Sequence, residues 1–207
     1  MKRLEWVLIW VTVITLVVGC SRSVQENDVN KTDLEQLTTT VQSLSNDINA
    51  IDTEKTDNSI AIQQVEKRMI EFFVAVDSSD WDTVLDVFAE DVDQDYSSMT
   101  GQAGSVVKAA DLVEGWKGFL PGFEHTHHQL GNIIIDVDGD NATVFSYVIA
   151  SHYLNNENSN VWTVVGTYNI DLEFIDQEWR ITKIKLNYKY QDGNTNLPQL
   201  AIEAAAK

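Results

Sequence analysis

Residues 127–153 read HHQLGNIIIDVDGDNATVFSYVIASHY. Apolar and polar side chains alternate on both sides of Asp138-Gly139-Asp140-Asn141. A period of two, rich in β-branched and aromatic residues, marks a half-buried strand, and Asp-Gly between two such runs marks a hairpin. The pattern predicts strands over 127–137 and 142–153. Downstream, 161–175 and 178–190 repeat it, joined by a tight turn at Asp176-Gln177. Upstream the period becomes helical: Ile62, Val65, Met69, Phe72, Phe73 and Val76 form one apolar stripe, broken at Asp77-Ser78-Ser79-Asp80. Asp80 is an expected N-cap for a second helix with Trp81, Leu85 and Phe88 facing inward, and a third short helix is expected over 109–119. Helices followed by a long meander predict an α+β fold, a curved antiparallel sheet wrapped around N-terminal helices. This domain is expected to span 60–190. Residues 191–207 form a tail ending in a short peripheral helix.

The chain has 207 residues, 43% of them apolar, which suits one globular domain with an extension rather than two domains. Its net charge of −18 repels phosphate backbones, so nucleic acid is excluded as a partner, as is anionic lipid held through a basic patch. A single cysteine, Cys20, excludes an internal disulfide. Glycine-rich phosphate loops, a serine nucleophile elbow and paired-cysteine metal motifs are absent from the sequence. His125, His127 and His128 crowd one segment, but strand alternation keeps all three from facing one ion. Neither a metal nor a cofactor is expected.

The N-terminus explains the thiol. Lys2-Arg3 precede an apolar-to-neutral run from Trp6 to Val18, 13 residues long. As a helix it would span ~20 Å, short of the ~30 Å hydrocarbon core, which suits a signal segment. The run ends Val17-Val18-Gly19-Cys20 and resembles the bacterial lipoprotein lipobox. That resemblance implies cleavage after residue 19, acylation of Cys20 and a membrane-anchored protein of the cell envelope. With Ser21 next, it implies the outer membrane if the source is Gram-negative. The competing reading is an ordinary signal peptide or a short anchor, with an incidental cysteine. Residues 20–33 are polar and aperiodic, a tether.

Leu34, Leu37, Val41, Leu44, Ile48 and Ile51 then recur at spacings of 3, 4, 3, 4 and 3, the a/d seam of a heptad helix expected over 34–58. The register weakens at Lys55 and Asn58. Such a seam fits either a homo-oligomer or an amphipathic helix folded back on its own domain.

Five motifs occur in order: Val76 to Asp82, Asp95-Tyr96, Thr126 to Asn132, Gly166 to Asn169, and Glu178 to Ile181. Over roughly 62–190 the chain resembles the SnoaL-like branch of the nuclear transport factor 2-like superfamily, and within it is similar to scytalone dehydratase and the bile-acid 7α-dehydratases. The resemblance implies a cone, a curved antiparallel sheet around helices, with a pocket at its open end. It also implies site residues. Carried over, the aspartate after the first helix is Asp77, the histidine opening the sheet His128 and the second histidine His152. The tyrosine after the second helix is Tyr96. The family's serine and asparagine on a later strand fall at Thr167 and Asn169. Strand alternation adds Asn132 on the face of His128. Two family tyrosines are replaced, by Phe72 and Val76. Removing a proton beside a carbonyl needs a base near neutral pKa, an acid for the leaving oxygen and donors for the enolate oxygen, and a His–Asp pair supplies the base. The expected function is a lyase (dehydratase) or isomerase acting on a small apolar carbonyl compound. The alternative is a non-catalytic ligand-binding or assembly module on a coiled-coil stalk.

Overall fold

The computed structural model describes residues 31–157 and 159–206. The signal segment, Cys20 and most of the tether lie outside the described residues. The chain divides into two compact units, 1–50 and 51–207. In the first, every described residue is helical and exposed, including the whole 34–48 part of the seam. Among the described residues no helix is long and apolar enough to cross a membrane.

Helix α1 runs Lys31–Ser78. From Val65 onward its stripe is buried: Val65, Met69, Phe72 and Val76 all enter the core, with Phe73 and Ala75 beside them. The helix ends in a Schellman arrangement. Ser79 adopts φ 56°, its N–H donates to the Val76 carbonyl at 3.1 Å, and the Asp80 N–H donates to Ala75 at 2.9 Å. Asp77 therefore sits in the pinned last turn. Asp80 caps α2 (Trp81–Asp86), accepting from the Thr83 N–H and hydroxyl. This helix is shorter than its sequence implied. Val84 is its buried residue and Leu85 is exposed, while Phe88 begins strand β1 (Phe88–Asp95).

A four-residue helix, α3 (Ser97–Thr100), a short strand β2 (Ser105–Lys108), helix α4 (Ala109–Lys117) and a 3₁₀ turn at Leu120–Gly122 follow. Then come the long strands β3 (His125–Asp138), β4 (Asn141–Tyr153), β5 (Val161–Ile175) and β6 (Glu178–Gly193). The sheet order is β2-β1-β6-β5-β4-β3. The expected antiparallel sheet is in fact mixed, because β1 pairs in parallel with β6; every other pairing is antiparallel. Register shifts between Gly131 and Ile134, and at two places in the β5–β6 ladder, bend the sheet. At one of them Gly166 is required: a Cβ there would lie 2.6 Å from the Asn187 carbonyl oxygen.

The tail is less peripheral than its composition suggests. Helix α5 (Leu197–Ala205) buries Leu197 and Ala201 completely. Its backbone lies so close to Gly122 that any side chain there would strike the Ala201 carbonyl.

Candidate active site

Helices α1 and α4, the Leu120–Gly122 turn, the segment carrying Tyr96 and Met99, and strands β3 to β6 converge on one cavity of ≈ 210 Å³ within the second unit. Phe72, Phe73 and Val76 of α1 form one wall. Trp116 of α4, Phe119 and Leu120 form another. The sheet contributes His128, Ala150, His152, Trp162, Val164, Tyr168 and Leu186. The lining is aromatic on most sides, and its titratable side chains are those of His128, His152, Tyr96 and Tyr168.

Asp77 and His128 meet as expected. The Asp77 Oδ1 lies 2.7 Å from His128 Nδ1 and accepts from the Thr126 hydroxyl at 3.0 Å. Its Oδ2 accepts the His128 backbone N–H at 2.7 Å. Burial pushes the Asp77 carboxyl up, but these bonds from His128 and Thr126 outweigh it and hold the group below the usual carboxylate value. An ionised carboxylate at Nδ1 keeps a proton on that nitrogen, so in the neutral form of the ring Nε2 carries the lone pair.

His152 lies beside His128, ring centroids 5.7 Å apart, and is 4% exposed. It packs at a tilt against Trp162 and Phe123, ring centroids 4.6 and 4.9 Å away. Burial lowers its pKa to about 4, with help from the neighbouring His128, so the ring is neutral at pH 7. Its Nδ1 lies 3.4 Å from the Trp162 carbonyl. A carbonyl only accepts, so that nitrogen carries the proton and Nε2 is an acceptor.

Tyr96 is held from below. Asp95 accepts from the Ser97 N–H at 2.9 Å and pairs with Lys185 at 2.8 Å; Ser98 bonds the Leu186 carbonyl and the Tyr188 N–H. The Tyr96 hydroxyl meets that of Tyr168. Burial raises both phenols, Tyr168 to about 12, so both remain protonated donors.

Three expected residues fall elsewhere. Asn132 adopts φ 50° inside the β3 bulge, which turns it to the exposed face and rotates Ile133, Ile135 and Val137 inward instead. Thr167 and Asn169 occupy the face of β5 opposite the cavity, where Asn187 Nδ2 donates to both, at 3.4 and 2.7 Å. The inward residue between them is Tyr168. Trp162, Val164, Gly166, Tyr168, Ile170 and Leu172 alternate inward, so strand parity alone carried that signal. Among the tryptophans, Trp116 and Trp162 line the cavity, while Trp179 packs against Phe174. Among the described residues no cluster of three His, Cys, Asp or Glu side chains has metal-binding geometry.

A model of the SnoaL-like domain matches residues 59–185. Several solved structures are similar. Kfla4162 from Kribbella flavida is 24% identical, with a TM-score of 0.62 over 67% of this chain and 95% of that one. A candidate aromatic ring hydroxylase from Novosphingobium aromaticivorans is 27% identical, with a TM-score of 0.57 over 66% and 94%. A candidate scytalone dehydratase from the same organism is 23% identical, with a TM-score of 0.57 over 66% and 90%. No curated protein matches the chain.

Proposed function

The chain belongs to the SnoaL-like domain family, and from that premise we propose that it is a cofactor-independent lyase or isomerase for a small, flat, largely apolar carbonyl compound. The observation that carries this reading is the 2.7 Å Asp77–His128 contact inside an aromatic cavity. His128 Nε2 takes a proton from the carbon next to the carbonyl. Electron density moves to the carbonyl oxygen, where the Tyr96 and Tyr168 hydroxyls donate. Tyr168 thus supplies, from β5, a hydroxyl that Phe72 and Val76 do not. For elimination, the C–O bond to a β-hydroxyl then breaks and the oxygen leaves as water. The neutral His152 has no proton to spare on its Nε2, so that proton returns from His128, and the two groups depart from one face of the substrate. For isomerisation, His128 returns the proton to another carbon.

Tyr168→Phe tests the donor role. Removing one enolate donor is expected to lower kcat ~10²-fold with little change in KM, since the interaction strengthens only as charge develops. Deuterium exchange into a panel of aryl ketones and β-hydroxy ketones gives the readout. Ligand binding without exchange or elimination would instead mark a non-catalytic carrier.

The proposal extends to the N-terminus: Cys20 carries acyl chains that tether the domain to the envelope membrane, each buried CH₂ contributing ~0.8 kcal/mol. Cys20→Ser is expected to abolish labelling by a fatty-acid analogue and to leave an unprocessed chain. Equal labelling of both forms would refute the anchor.

A further inference from the structure

Leu34, Leu37, Val41, Leu44, Ile48 and Ile51 lie along α1 with 54–64% of their surface in water. Such an apolar row on an otherwise polar helix marks a contact surface. We propose that residues 34–51 of two copies of this chain pair as a parallel, in-register, two-stranded coiled coil.

The residue types select this occupant. With Leu34 as a, the a positions are Leu34, Val41 and Ile48, and the d positions are Leu37, Leu44 and Ile51. The central pairs set β-branched Val41 and Ile48 at a against Leu37 and Leu44 at d, the combination that favours two parallel strands. Lys55 and Asn58 take the next a and d positions and end the seam. Beyond them the same register enters the chain's own core at Val65, Met69 and Phe72. The row 34–51 is thus the exposed part of the stripe. Six half-exposed side chains per copy make an interface at the small end of the stable range, so the dimer forms at micromolar rather than nanomolar concentration.

Charge gives the pairing a second signature. In this register Asp47 at g faces Asp52 at e of the second copy, twice per dimer. Those like-charge contacts weaken it, and Asp52→Lys turns each into an attraction. Losing the repulsion and gaining the attraction are each worth roughly a factor of two at each of the two pairs, so the dimer should tighten about 16-fold.

The test uses the full-length chain with single added cysteines, the parent serving as the control for Cys20. Val41→Cys and Leu44→Cys are expected to form disulfide-linked dimers under mild oxidation, and Asn46→Cys, on the outer face, is not. Sedimentation of Asp52→Lys should show the tighter dimer. Cross-linking at 46 as efficient as at 41, or none at 41 and 44, overturns the proposal. Linking only between Leu37→Cys and Ile48→Cys chains would reveal an antiparallel pair and overturn it equally, as would weaker association of Asp52→Lys.

Discussion

Asp77→Asn is expected to slow turnover ~10²–10⁴-fold while leaving the domain folded. The substitution keeps the shape of the side chain and one acceptor oxygen. That oxygen can still take the His128 backbone N–H, which the carboxylate now holds at 2.7 Å. The amide nitrogen then faces His128 Nδ1 and donates to it. The imidazole answers by placing its own proton on Nε2, toward the cavity. In the proposed reaction, a base has become a donor at the one atom that must accept the substrate proton. The ¹⁵N ring resonances of His128 report this change without any substrate: Nε2 is expected to be unprotonated in the parent and protonated in the variant. Unchanged ring resonances would show that Asp77 does not set the tautomer, and the base assignment would fall with it.

Acid is expected to destabilise the fold through His152. Its pKa drops from 6.5 to about 4 on folding. Below the unfolded value the unfolded chain takes up a proton that the native ring refuses, so stability falls as pH is lowered from about 6.5 to about 4. Across that window the loss approaches roughly 3 kcal/mol. Asp77 acts lower. Its depressed value gives stability above the unfolded 3.8, lost only as pH falls through the folded value. Urea unfolding at pH 7, 6, 5 and 4.5 separates the two. His152→Leu should flatten the parent's slope between pH 6.5 and 4.5, because a buried titrating group has gone. Parallel curves for the parent and the variant would mean that His152 is not buried as a neutral ring.

Much of the fold was legible because its cause is repetitive. Four long strands alternate over 13 to 16 residues each, and the α1 stripe recurs every third or fourth position. Asp77 and His128 were legible through the order of motifs, and their contact requires only that α1 end where Ser79 turns left-handed. What was lost hangs on single residues. The bulge at Gly131–Ile134 adds one residue to β3, and alternation counted across it assigns Asn132 to the wrong face. On β5, matching the family's serine and asparagine selected Thr167 and Asn169, although the apolar alternation from Trp162 to Leu172 named Tyr168. The parallel β1–β6 pairing joins segments about 90 residues apart, and nothing in either segment announces its partner.

That bulge divides β3 into two segments that answer to different demands. Before it, His128 lines the cavity and Thr126 bonds Asp77, whereas after it Ile133, Ile135 and Val137 pack on the core. Because the extra residue absorbs the change of phase, neither set constrains the rotation of the other. Drift in the second half is therefore felt as thermal robustness, and drift in the first as a change in the cavity wall. A lineage of such domains can vary the half of the strand that carries His128 without reopening the question of whether the strand folds.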